Sequence, residues 1–212
     1  MKTLKIDFVS DVACPWCAVG LNALERALER VGPELNAELH FQPFELNPTM
    51  PAEGVDTVSY IAQKYGIGPE QIARNQATIR ARGAEVGFTF GPRHRVWNTF
   101  DAHRLLHWAG LHGRQRELKH ALLKAYHGDG RNPGAHDVLL ELAAAVGLDA
   151  DAACEVLDSG RFSDEVRAAE AMWQQAGIHS VPSIVINERH LIQGGQPVEV
   201  FEQALRQIAA EQ

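Results

Sequence analysis

Leu4, Ile6 and Phe8 alternate with Thr3, Lys5 and Asp7, a period of two that predicts a strand from Leu4 to Ser10. From Pro15 the period lengthens. Val19, Leu21, Leu24, Leu28 and Val31 share one helical face, Glu25, Arg26, Glu29 and Arg30 lie opposite, and Gly32-Pro33 stops the helix. A second strand is expected at Glu38 to Leu46, so the chain opens β-α-β. Between Val55 and Gly177 the pattern predicts six helical segments and no strand. Asp56 caps a helix to Tyr65, and Pro69 opens one carrying Ile72 and Ile79. Asn98 and Asp101 mark the start of a helix through His107. Others are expected at Arg116 to Tyr126, Pro133 to Val146, and Ala150 to Gln175, the last broken near Gly160 and ended by Gly177. Gly87 to Trp97 reads as a basic loop. Strands return at Ser183 to Asn187 and His190 to Gln193 around an Asn187-Glu188 turn. A helix from Pro197 to Ala209 follows, with Val200, Phe201, Leu205 and Ile208 as its buried stripe. The outer segments, residues 1–50 and 177–212, form a split α/β unit; residues 51–176 form an all-helical domain between them.

The 212 residues, 45% of them hydrophobic, suffice for a substantial core. A formal net charge of -7 argues against nucleic acid as a partner, because neutralising phosphates requires a basic face. No apolar run approaches the roughly 18 residues of a membrane span. The alternating first strand is unlike a secretory signal. A cytoplasmic location is therefore expected, where ordinary thiols stay reduced.

Against that background Cys14-Pro15-Trp16-Cys17 stands out among the three cysteines. A zinc site requires a second ligand pair at metal-binding spacing, and Cys154 has no cysteine partner. A structural disulfide across two residues constrains little chain and is disfavoured in the cytoplasm. A redox-active pair between a strand and a helix fits best. Cys14 falls at the N-cap and Pro15 in the first turn, where its missing amide proton does no harm. Free amides and the helix dipole then favour a Cys14 thiolate. Lowering a thiol pKa from about 8.5 to about 5 takes roughly 5 kcal/mol, at about 1.4 kcal/mol per unit. The dipole supplies up to about 2 kcal/mol, so hydrogen bonds to the thiolate must provide the rest, the Cys17 thiol being one candidate donor. Cys14, the more exposed at the helix tip, is expected to form the mixed disulfide and the deeper Cys17 to resolve it. Trp16 presents an aromatic contact beside the sulfur or simply packs. Cys154, between Ala153 and Val156, reads as a small core residue.

Asp7-Phe8-Val9-Ser10-Asp11 running into the cysteine pair, Asn98-Thr99 with Ala102-His103-Arg104-Leu105, Gly177 to Ser183, and Gly194-Gly195-Gln196-Pro197 before Phe201 together span nearly the whole chain. On these motifs the chain resembles the DsbA-like branch of the thioredoxin superfamily. More narrowly, it resembles cytoplasmic FrnE-type oxidoreductases, relatives of 2-hydroxychromene-2-carboxylate isomerase and kappa-class glutathione transferase. The resemblance implies a thioredoxin-like α/β fold with a large all-helical insertion and a cis Val181-Pro182 bond against the cysteines. It also implies a substrate surface made by Pro15, Trp16, Val181 and Pro182, where an extended peptide can pair with the backbone.

The implied activity is thiol-disulfide exchange with protein or small-thiol substrates. No metal or organic cofactor is required, and glutathione serves as a candidate redox partner. The isomerase and transferase relatives usually carry serine where Cys14 stands, so two cysteines favour redox work. Asn98, His103 and the Arg93-His94-Arg95 stretch are candidates for a groove holding glutathione or another anion, or else a helix cap and a solvated loop. Two rival functions remain open: glutathione-dependent isomerisation or transfer on an aromatic small molecule, and a peptide-binding chaperone module. No nucleic-acid or membrane partner is expected, and the chain is expected to be a monomer or homodimer.

Overall fold

Strand β1 (Lys2–Ser10) lies inside a four-stranded sheet, between β2 (Leu35–Pro43) and β5 (Ser183–Ile186), with β6 (His190–Gln193) outermost. The computed structural model describes residues 2–211, with Glu34 described by its backbone alone. β2 runs parallel to β1, from Lys2 opposite Leu35 to Ser10 opposite Pro43. β5 is antiparallel to β1, with Phe8 opposite Ile184. The alternation in β1 explains its position. Leu4, Ile6 and Phe8 enter one core with helices α1 (Pro15–Val31) and α9 (Val198–Ala210), while Val9 faces Phe44, Trp173 and Ile178 on the other side of the sheet.

β2 occupies Leu35–Pro43 rather than Glu38 to Leu46. It starts early because a single 3-10 turn, Gly32–Glu34, suffices to reverse the chain after α1. It ends at Pro43, which has no N–H to continue the ladder; the apolar residues beyond it pack instead of pairing. On α9 the buried stripe is Val198, Phe201, Leu205 and Ile208. Val200 is 42% exposed, which corrects its assignment to that stripe: it lies about 100° around the helix from Phe201.

The insertion contains seven α-helices among the described residues: α2 (Thr57–Tyr65), α3 (Pro69–Glu85), α4 (Phe100–Leu111), α5 (Gln115–Leu123), α6 (His136–Ala145), α7 (Ala150–Asp158) and α8 (Ser163–Gln175). The expected break near Gly160 separates the last two. Two short strands, β3 (Val55–Asp56) and β4 (Arg95–Val96), pair antiparallel where no strand was expected; two residues carry no readable period. α4 begins after Thr99 and runs past His107 to Leu111, because Trp108 and Ala109 are buried in the helical core. α5 continues into one π-helical turn, Lys124–Gly128, which turns Tyr126 and His127 inward. Val12 and Ala13, from the β1–α1 connection, are embedded in this second core beside Ala102, Leu105 and Tyr126. The segment carrying the cysteines is thereby clamped between the sheet and the insertion.

Candidate active site

Cys14 is the N-cap residue of α1, with extended backbone angles (φ -87°, ψ 114°), and Pro15 opens the helix. The pair is more deeply set than the sequence implied: Cys14 is 3% exposed and Cys17 is fully buried. Cys14 does remain the outer of the two, and both are free thiols. Its Sγ donates to the carbonyl oxygen of Val181 at 3.4 Å. The Val181-Pro182 bond is cis. Two glycines let this arrangement close. A Cβ on Gly20 would stand 3.0 Å from Pro182 Cγ, and a Cβ on Gly195 would stand 3.0 Å from the Trp16 carbonyl oxygen. Trp16 is half-buried and packs on the sheet-side core rather than standing free beside the sulfur.

The two thiols are pushed apart in acidity. The hydrogen bond from the Cys17 thiol lowers the Cys14 pKa, against the cost of burial and with help from the Cys17 and Trp16 amides. These amides lean toward the sulfur without closing a full side-chain cap, so the thiol-thiol hydrogen bond carries more of the effect than the helix end. Burial and the Cys14 sulfur push Cys17 well above the ordinary thiol value. A first thiol made more acidic beside a second made less acidic is the division that suits a dithiol exchange.

Asp11 ties this segment to the insertion. It is 1% exposed. Its Oδ1 accepts from Ala13 N at 3.0 Å and Thr99 Oγ1 at 2.7 Å, and lies 3.4 Å from His103 Nε2. Its Oδ2 accepts from Leu46 N at 2.8 Å. Burial works to raise its pKa, but His103 and the two amides outweigh it and keep Asp11 a carboxylate. Nearby, His127 Nε2 donates to the Val12 carbonyl at 2.8 Å and Arg93 Nη1 to the Ala13 carbonyl at 3.2 Å. Burial, then the Arg93 charge, hold the His127 pKa well below the ordinary histidine value. A carbonyl only accepts, so a neutral His127 carries its proton on Nε2.

The structure gathers Cys14, Pro15, Trp16, Cys17, Val181 and Pro182 into one place. Asn98 serves local structure: its Oδ1 accepts from Phe100 N at 2.8 Å and its Nδ2 donates to Met50 O at 3.3 Å. His103 is buried on Asp11 and lines a pocket between β2 and α4. Of the basic stretch, Arg93 reaches the cysteine segment, Arg95 binds the carbonyls of Glu53 and Gly54, and His94 is exposed. Cys154 is not a core residue. It is half-buried, and its Sγ lies 3.4 Å from Asp158 Oδ2 while Ala153, Val156 and Leu157 supply the inner face of α7. Sequence reading missed Lys119 and His127, and Asp11 stood there only as part of a motif. An Asp three positions before the first cysteine was the available signal; a lysine inside an amphipathic helix offered none.

The DSBA-like thioredoxin domain model matches residues 5–206. The chain belongs to that family. This DSBA-like protein is similar to a probable DsbA oxidoreductase of Streptomyces coelicolor, with 35% identity and a TM-score of 0.90 over 99% of this chain and 91% of that one. It shares its fold with 2-hydroxychromene-2-carboxylate isomerase, at 12% identity and a TM-score of 0.74 over 98% and 97% of the two chains. The cytosolic disulfide reductase DsbM of Pseudomonas aeruginosa, solved with GSH, shares it too, at 19% identity and a TM-score of 0.64 over 96% and 98%. Among the described residues of this DSBA-like chain no group of three or more His, Cys, Asp or Glu could hold a metal ion, and no helix is long and apolar enough to cross a membrane.

Proposed function

We propose that the protein is a cytoplasmic thiol-disulfide oxidoreductase acting on protein or small-thiol substrates through Cys14 and Cys17. The observation that carries this reading is the placement of the two thiols: Cys14 stands at the N-cap of α1 with its Sγ 3.4 Å from the Val181 carbonyl oxygen, and Cys17 lies fully buried one turn into the same helix. In the reducing direction, the Cys14 thiolate attacks one sulfur of a substrate disulfide. The other substrate sulfur leaves as a thiolate and takes a proton from solvent. Cys17, once deprotonated, attacks Cys14 Sγ; the intramolecular S–S bond forms, the mixed disulfide breaks, and the second substrate thiolate departs. The substrate gains two electrons and the dithiol becomes a disulfide. Run backwards, the same steps oxidise a substrate dithiol. Glutathione recharges the pair by the same exchange, a role supported by the DsbM neighbour solved with GSH.

Pro15, Trp16, Val181 and Pro182 border the sulfur and form the substrate surface in this reading, with the exchange unit in residues 1–50 and 177–212 and the helical domain in 51–176. Replacing Cys17 with Ser tests it. The variant is expected to lose turnover and accumulate a mixed disulfide at Cys14 with substrate or glutathione. Unchanged turnover of a thiol substrate in Cys17→Ser would overturn the reading and favour a glutathione-dependent isomerase or a peptide-binding module, neither of which needs the second cysteine.

A further inference from the structure

A pocket of about 290 Å³ lies beside the edge strand β2, between it and helices α4, α5 and α8. Its volume is close to the lower end of small-molecule sites, about 300 Å³. His40 and Leu111 are exposed and mark its mouth, whereas Leu106, His103 and Lys119 are buried. The chain carries 27 acidic residues, yet among the described residues no Asp or Glu lines this pocket.

Most of the polar side chains in the lining are already committed. Gln115 closes the free edge of β2 by pairing with both the N–H and the C=O of Phe41, at 3.1 and 3.0 Å. Gln42 Nε2 donates to Asp7 Oδ1 at 2.7 Å, and His103 lies on Asp11. Lys119 is the exception. It is 1% exposed and forms no hydrogen bond or ion pair among the described residues. A lysine is rarely fully buried without a partner, because an unpaired charge away from water is costly. The pocket is where a partner can reach it.

We propose that this pocket binds a small organic monocarboxylate, its carboxylate paired with Lys119 Nζ and its hydrocarbon part lying on Phe41, Pro43, Leu106 and Leu111. The charge of the lining selects an anion. A single negative charge fits best, because Lys119 is the one fixed cation among the described lining residues and no arginine there offers the fork that suits phosphate. His103 is engaged by Asp11 and offers the anion no second anchor. The apolar walls select an organic acid over an inorganic ion, since they are covered only when the ligand carries a hydrocarbon part. A carboxylate against Nζ supplies the partner the buried lysine lacks, as a charge-assisted hydrogen bond shielded from solvent. Neither active-site cysteine lines the pocket, so the proposal is independent of the exchange reading.

The probe is hexanoate, compared at pH 7 with hexanol as its neutral counterpart, hexylamine as its cationic one, and inorganic phosphate as an anion without a chain. Binding to the full chain is followed by titration calorimetry and by the NMR signals of each probe. Wild type is expected to take hexanoate with a Kd of about 1 mM or below, at least tenfold tighter than any of the other three. Lys119→Met is expected to weaken hexanoate tenfold or more, to the level of hexanol. Lys119→Arg keeps a cation and is expected to hold hexanoate within threefold of wild type, a rescue that a merely structural lysine would not show. Ala169→Phe, on the half-buried α8 wall of the pocket, fills the space without removing the charge and is expected to weaken hexanoate tenfold or more. The four-probe comparison needs only wild type, so it stands even where a Lys119 variant fails to fold. Hexanol or phosphate binding as tightly as hexanoate, or no hexanoate binding at about 10 mM, overturns the proposal. So does a hexanoate affinity that Lys119→Met or Ala169→Phe leaves unchanged.

Discussion

Cys14 Sγ and the carbonyl oxygen of Val181 meet at 3.4 Å although 167 positions separate the two residues. The contact joins the first α/β segment of the chain to the last at the helix tip that carries Cys14. Gly20 and Gly195 allow the close fit around it. Gly20→Ala places a methyl 3.0 Å from Pro182 Cγ and 3.3 Å from Gly195 Cα. Crowding of this kind costs about 1–3 kcal/mol, so urea melts of the variant are expected to show a lower midpoint. An unshifted midpoint would mean that the fit is looser than these distances imply.

The acidity of Cys14 depends first on Cys17. Alkylation of Cys14 followed against pH is therefore expected to reach half its maximal rate below the ordinary thiol value of about 8.5. In Cys17→Ala the profile moves up, because the largest stabilising contact to the thiolate is gone. An identical profile in the variant would shift the explanation to the helix-end amides.

Asp11 links folding to pH. Its folded pKa is depressed, so the stability it contributes is fully present above the unfolded value of about 3.9 and is lost as pH falls through the folded value. Asp11→Asn is expected to cost about 3 kcal/mol at pH 7, the scale of losing charged hydrogen bonds in a buried site. The gap between variant and wild type narrows in acid, as the native carboxylate is protonated. Denaturant unfolding at pH 7 and below pH 3 gives both values.

Cys154 sits on the outer side of α7 against Asp158, which raises its thiol pKa. Cys154→Ala is expected to change stability by less than about 0.5 kcal/mol, as for surface substitutions without a special role. Exchange turnover is expected to be unaffected. Loss of turnover would make Cys154 a third working thiol.

Much of the fold was legible because its signals are local. The alternation of Leu4, Ile6 and Phe8, the helix opening at Pro15, the cap at Asp56 and the Asn187-Glu188 turn all stand where the pattern put them. The errors fall where packing overrides pattern. Val200 is apolar yet exposed, β2 stops at Pro43 although apolar residues continue, and α4 extends past His107 because the helical core takes up Trp108 and Ala109. At the site, the CxxC spacing between a strand and a helix singled out Cys14 and Cys17, which the structure places at the N-terminal tip of α1. The surroundings did not show, because His127 reaches the Val12 carbonyl from 115 positions away and no periodicity distinguishes an inward lysine such as Lys119 from a surface one.

The reduction potential of the Cys14–Cys17 pair tests the central claim most directly. Protein equilibrated in graded glutathione buffers, with free thiols counted, is expected to show one reversible two-electron transition that disappears in Cys14→Ser and Cys17→Ser. Two cysteines that stay reduced across the whole range of buffers, or a transition that survives either substitution, would contradict the account.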